Sequence, residues 1–94
     1  MMYLIVLELN ARPADQYPDL ERAIKFLGNY SNRLRGAWLV QSRLNASQLR
    51  DLLKPHLGDG DKVFVSRMTT NWAGYNMGQG FPEWLKRQSF ELPK

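Results

Sequence analysis

The stretch "YLIVLELN", residues 3–10, is strongly apolar, and the pattern predicts a buried β-strand over residues 2–9. Side chains alternate between the two faces of a strand, so Glu8 closes the face that Leu4 and Val6 begin. An unpaired carboxylate is costly to bury. Glu8 must therefore reach solvent, a cation or a bound metal ion, and the function depends on which of these holds.

Helical spacing follows the first strand. Apolar residues recur at helical intervals between Pro18 and Gly28, which predicts a first helix over about residues 18–27. Asn45 and Gln48 have the spacing of a capping box and predict the start of a second helix.

Strand patterns occur between the two predicted helices and again after the second one. Residues 31–43 predict one bulged strand or a pair of short strands, because Gly36 interrupts the alternation. "KVFVSRM", residues 62–68, predicts another strand, and "PEWLKRQ" from Pro82 predicts a short last helix.

The order of these elements predicts the fold class. Two β-α-β halves in one small chain indicate an α+β, ferredoxin-like βαββαβ sandwich with an antiparallel sheet and its helices on one face. We expect a single domain over residues 1–94. The glycine-rich tail from about residue 69 has too little periodicity to fold alone, so we expect it to contribute to a homodimer.

Composition limits the possible partners. The chain carries 13 Lys and Arg against 9 Asp and Glu, a net charge of +4, which is a modest indication of nucleic acid. It has no cysteine, which excludes disulfides and thiolate metal sites. The first apolar run reaches Glu8 too soon for a membrane span or a typical signal peptide, so we expect a soluble cytoplasmic protein that does not enter a membrane.

Several stretches together resemble a known family. "YLIVLELN", "LERAIKFLG", "AWLV", "LRDLLKPHL", "DKVFV" and "NWAGY" are similar in order and spacing to the SinR-like group of small bacterial proteins, which is related to the Cas-two family of CRISPR adaptation and to the VapD ribonucleases. The resemblance runs from about residue 3 to residue 76. It implies a ferredoxin-like homodimer that binds nucleic acid and, in some relatives, hydrolyses it with a divalent metal.

The resemblance also implies a catalytic site at the end of the first strand. Relatives place an Asp there, near the dimer axis, where two copies hold Mg²⁺; this chain has Glu8. Glu8 would then be catalytic and a metal ligand, with Asn10 as a second ligand. Relatives also place small hydroxyl residues before the aromatic of the next strand, whereas this chain has Gly36 and Ala37. The alternative for Glu8 is a structural carboxylate, either paired with Arg or exposed at the sheet edge.

Two further groups of residues are candidates for binding. Arg33, Arg35 and Arg43 have odd spacing and would form one phosphate-contacting row if no bulge intervened; the alternative is a solvated sheet edge guarded by charge. Trp72 and Tyr75 in the tail are candidates for the dimer interface, and the alternative is stacking on bases.

Two functional hypotheses follow from these residues. The first is a Cas-two-like homodimer that binds nucleic acid, with a weak Mg²⁺-dependent phosphodiesterase activity centred on Glu8. The second is a non-catalytic dimeric interaction module of a defence or toxin–antitoxin system, in which Glu8 is structural and the tail recruits a protein partner.

Overall fold

Four strands form one antiparallel sheet in the computed structural model, which describes residues 1–91. The strands are β1 (Met2–Glu8), β2 (Tyr30–Leu34), β3 (Ala37–Gln41) and β4 (Lys62–Arg67). Their order across the sheet is β2-β3-β1-β4, so β1 lies between β3 and β4 and is antiparallel to both. The prediction of an α+β fold with an antiparallel sheet is confirmed.

Three helices accompany the sheet: α1 (Pro18–Phe26), α2 (Ala46–Leu53) and α3 (Phe81–Lys86). A turn of 3₁₀-helix, Lys54–His56, extends α2. The helix predicted over about residues 18–27 is confirmed, with proline in its first turn as expected. Within residues 1–91, no helix is long and apolar enough to cross a membrane.

The capping box of α2 forms as its sequence predicts. The Asn45 side chain accepts from the Gln48 backbone N–H at 2.8 Å, and the Gln48 side chain accepts from the Asn45 N–H at 2.9 Å. These bonds satisfy two N–H groups that have no partner inside the helix.

α1 and α2 cover one face of the sheet, which we call the inner face. Their buried apolar side chains pack against the alternate residues of β1 and β3 that begin with Ile5 and Trp38. The buried members of this cluster are Ile5, Leu7, Tyr17, Leu20, Ile24, Trp38, Val40 and Leu53. The main core of the domain therefore lies between the sheet and these two helices.

The opposite or outer face is covered only in part. Met2 and Leu39 are buried there against Phe81 and Leu85 of α3. The two helices of the predicted β-α-β halves thus lie on one face as expected, whereas α3, in the tail, packs on the other face. The physical reason is that Met2, Leu4 and Leu39 make this end of the outer face apolar as well, and the tail folds back to cover it.

The segment predicted as one strand or two is a hairpin, with β2 and β3 joined at Arg35 and Gly36. Gly36 has φ +71°, a left-handed conformation that favours glycine, and a Cβ there would lie 2.9 Å from the Leu7 carbonyl oxygen. The Gly36 carbonyl accepts a hydrogen bond from the Leu7 N–H at 2.6 Å. The turn thus reverses the chain and holds it close to β1.

Candidate subunit and nucleic-acid interface

Glu8 ends β1 directly opposite Lys62, the first residue of β4. The Lys62 Nζ lies 3.2 Å from Glu8 Oε2, and Asn10 Nδ2 donates a hydrogen bond to the same oxygen at 3.1 Å. The bond from Asn10, followed by the bond and charge of Lys62, holds the pKa of Glu8 below its usual value. Both charged side chains remain mostly exposed, so the carboxylate that closes the first strand reaches solvent and a cation together.

The surroundings of Glu8 within one chain do not fit the Mg²⁺ site that the resemblance implies. Asn10 directs its amide nitrogen to Glu8 and also to the Gly60 carbonyl, at 3.0 Å, and neither that nitrogen nor the Lys62 ammonium can ligate a cation. Across residues 1–91 no group of three or more His, Cys, Asp or Glu side chains is placed to hold a metal. The roles of Glu8 in catalysis, and of Glu8 and Asn10 in metal binding, stay predictions.

Asp61 organises the loops beside this pair. Its carboxylate accepts hydrogen bonds from the backbone N–H groups of Asn10 at 2.5 Å, Ala11 at 2.8 Å and Gly58 at 2.8 Å. The buried Tyr17 donates its hydroxyl to the same carboxylate at 2.8 Å. One side chain thus joins the end of β1, the start of α1 and the turn before β4.

The hydrogen bonds to Asp61 determine its ionisation. Partial burial acts to raise the pKa of this carboxyl, but the bonds from Gly58, Ala11, Asn10 and Tyr17 stabilise the charged form by more and hold the pKa far below its usual range. Asp61 is therefore a charged structural residue. The sequence assigns its segment, "LGDGDK", to a turn but does not single out Asp61, because Asn10, Ala11 and Tyr17 lie 51, 50 and 44 residues away in the chain.

A row of four apolar side chains crosses the uncovered end of the outer face. The register pairs Leu34 with Ala37, Ala37 with Val6, and Val6 with Phe64, one residue from each strand. Leu34 is 47% exposed, Val6 41% and Phe64 67%. We call these four residues the apolar row. In the sequence, the apolar row is indicated only by the alternation of β4, which places Val63 and Val65 inside and therefore Phe64 outside.

The three predicted arginines are all exposed but do not form one row. Arg33 lies on β2 and Arg35 in the hairpin turn, whereas Arg43 follows β3 at the other end of the hairpin. The chain reversal at Gly36 separates them, so the same-face spacing of a single strand does not apply. Arg33 also holds the tail, because its guanidinium donates to the carbonyls of Met77 at 2.9 Å and Gln79 at 3.3 Å.

The tail places its two predicted interface residues differently. Trp72 is partly buried with the cluster that covers Met2 and Leu39 of its own chain. Tyr75 is 84% exposed. The tail thus packs on its own sheet, which the sequence did not predict, and a role for either residue in a dimer stays a prediction.

No significant match emerged when the chain was compared with protein-family models, with curated proteins and with solved structures. The family resemblance therefore stays a prediction from the sequence.

Proposed function

We propose that the chain has a ferredoxin-like fold and works as a Cas-two-like homodimer that binds nucleic acid. The antiparallel order β2-β3-β1-β4, with one helix between β1 and β2 and another between β3 and β4, supports the fold. The observation that carries the homodimer is the exposed apolar row.

The apolar row suits a second copy of the same chain. Large apolar side chains that are exposed side by side on a sheet are normally covered by a partner. A two-fold dimer places the same patch of both copies in contact. Glu8 and Lys62 flank the row with opposite charges, so two copies related by such an axis can exchange these charges across the contact.

The charge of the dimer supports nucleic acid as its ligand. Each chain contributes +4, so two copies carry twice +4, or +8. Arg35 and Arg43 are exposed at opposite ends of the β2–β3 hairpin, and arginine is well suited to bidentate phosphate contacts. Basic side chains spread in this way contact the backbone of a nucleic acid without reading its sequence.

Two phenylalanines provide a matched test of the dimer. Phe64 lies in the apolar row, whereas Phe26 is 92% exposed at the end of α1. We expect the wild type to sediment at twice 10.9 kDa at micromolar concentration. Phe64→Gln should weaken the dimer about tenfold or more, because both copies lose about 1 kcal/mol of apolar burial. Phe26→Gln should leave it unchanged.

A wild type that sediments as a monomer would contradict the proposed dimer. Equal effects of Phe64→Gln and Phe26→Gln would contradict the apolar row as its interface. For the ligand, we expect a fluorescently labelled oligonucleotide to bind, and its association constant to fall steeply as salt is raised. Absence of binding to both DNA and RNA at low salt would remove the nucleic-acid part of the proposal.

The ion pair at Glu8 favours a second candidate function. Because Lys62 and Asn10 already engage the carboxylate, Glu8 suits a structural role. The alternative is thus a non-catalytic dimeric interaction module of a defence or toxin–antitoxin system. A dimer that binds no nucleic acid but retains a protein from its own cell extract in a Phe64-independent manner would favour this alternative.

A further inference from the structure

A cleft of about 340 Å³ lies between β2 and α3, at the edge of the sheet. From the strand side it is lined by Tyr30, Ser31, Asn32 and Arg33, and from the tail side by Gly80, Phe81, Trp84 and Arg87. Because β2 is an edge strand, the cleft opens beside backbone that has no neighbouring strand on that side. Its volume is near the lower end of the usual range for small-molecule sites, which suits one nucleotide at a time.

The charge of the cleft is positive. Arg33 and Arg87 line it, and its lining includes no carboxylate. In contrast, the clefts beside α1, beside α2 and around the end of the tail each include at least one Asp or Glu. The ligand that complements this cleft is therefore an anion.

The two arginines of the cleft differ in their hydrogen bonds. The Arg33 guanidinium is held by the Met77 and Gln79 carbonyls and lies 5.7 Å from the centre of the Phe81 ring. It brings a positive charge to the wall of the cleft in a defined position. The Arg87 side chain is exposed and has no hydrogen-bond or ion-pair partner within residues 1–91, so it is available to a phosphate.

Aromatic side chains complete the lining. Trp84 is partly exposed and stacks on Phe81 with ring centres 6.2 Å apart. The Tyr30 ring instead lies toward the inner face, because Tyr30 pairs with the inner-face residue Val40 and its ring packs on Trp38 with ring centres 5.7 Å apart. An aromatic ring beside a free arginine is the combination that binds single strands, where bases stack on rings and phosphates contact cations.

We infer that this cleft binds single-stranded nucleic acid, with one base against Trp84 and the adjoining phosphate at Arg87. The inference rests on the proposed nucleic-acid binding and specifies its substrate class. Duplex is a poor fit, because its bases are stacked on each other and cannot enter a cleft of single-nucleotide size.

The test compares two arginine variants of equal charge. Arg87→Gln changes the cleft, and Arg50→Gln changes an exposed arginine of α2 outside it. The probes are labelled dT and rU oligonucleotides of one length, and a duplex of the same length. We expect the single strands to bind at least fivefold more tightly than the duplex. Arg87→Gln should weaken single-strand binding at least fivefold and lower its salt slope by about 0.7, while Arg50→Gln changes either by less than twofold.

A second measurement reports on stacking. Binding of dT should quench tryptophan fluorescence, and Trp84→Phe, which keeps an apolar ring against Phe81, should remove most of that quenching. If Arg87→Gln and Arg50→Gln have equal effects and single strands still bind, the cleft is not the binding site. The proposed nucleic-acid binding would then be unaffected. Preference for the duplex, or equal competition by polyglutamate of the same length, would also overturn the inferred cleft site. Failure of all nucleic acids to bind would overturn both the cleft site and the proposed binding.

Discussion

The two faces of the sheet are covered by different means. The inner face is packed by α1 and α2, two amphipathic helices that bury Leu20, Ile24, Leu49 and Leu53. The outer face is covered at one end by a tail with little regular structure, and at the other end the apolar row is exposed. Local periodicity builds the first face, whereas the second depends on contacts between distant parts of the chain. We therefore expect the stability of the domain to depend mainly on the inner face, and the binding proposed above would use the outer face and its edge.

The largest expected effect compares two fully buried leucines, Leu53 of α2 on the inner face and Leu85 of α3 on the outer face. Leu53→Ala should lower the free energy of unfolding of the whole domain by about 2–5 kcal/mol, because it leaves a cavity in the main core. Leu85→Ala should mainly promote local opening of the tail, since residues 69–80 contain no helix or strand. Chemical denaturation measures the first effect, and hydrogen exchange at individual amides measures the second.

The control for this comparison lies within β1, whose side chains face both layers. If Leu85→Ala accelerates exchange in β1 as much as Leu53→Ala does, the tail and the inner core unfold as one unit. The division of the molecule into a stable face and a binding face would then be incorrect.

The sequence predicts the inner face well because each element there carries its own signal. Helical spacing defines α1, and the capping box of Asn45 and Gln48 defines the start of α2. Gly36 marks the break between two short strands, although the pattern alone does not say that the chain reverses there. The inner core follows from periods of 3.6 and 2 residues alone.

The outer face and the candidate sites are harder to predict. The tail has no periodicity to show that Trp72 and Phe81 fold onto their own sheet, and Arg33 holds it through backbone carbonyls 44 and 46 residues away. The cleft at Arg87 exists only because α3 lies beside β2. These features arise from tertiary contacts, so no local pattern of residue types predicts them.

A smaller effect on stability is expected at Asp61, whose carboxylate accepts hydrogen bonds from the loops after β1 and before β4 and from the buried Tyr17. The pKa of Asp61 is lowered in the folded protein, so its contribution to stability is full above the unfolded pKa of about 3.9 and is lost as the pH falls below it. Asp61→Asn should lower the melting temperature at pH 7 by less than Leu53→Ala does. The difference from wild type should shrink as the pH falls from about 4.

Thermal unfolding followed by circular dichroism between pH 2 and pH 8 measures this dependence. Asp59→Asn is the matched control, because Asp59 lies in the same turn without the hydrogen bonds that Asp61 accepts from Asn10, Ala11 and Tyr17. Parallel pH profiles for wild type and Asp61→Asn would show that the hydrogen bonds do not stabilise the charged carboxylate.

The smallest expected effect on stability is at Glu8, on the outer face, where the exposed pair with Lys62 is screened by solvent. Glu8→Gln keeps the size of the side chain and removes its charge. If Glu8 is structural, the melting temperature should change little. If two copies of Glu8 instead hold Mg²⁺, as the family resemblance implies, cleavage of nucleic acid should disappear while dimerisation and salt-sensitive binding persist, since phosphate contacts come from Lys and Arg.

Cleavage of labelled DNA and RNA with Mg²⁺ or Mn²⁺ separates these outcomes, with Glu21→Gln on α1 as a control of equal charge. Because Lys62 and Asn10 already engage the carboxylate, we expect the wild type to bind without cleaving. Metal-dependent cleavage that Glu8→Gln abolishes and Glu21→Gln retains would contradict this expectation. It would also show that dimerisation rearranges the Lys62 contact, and the outer face would then carry catalysis as well as binding.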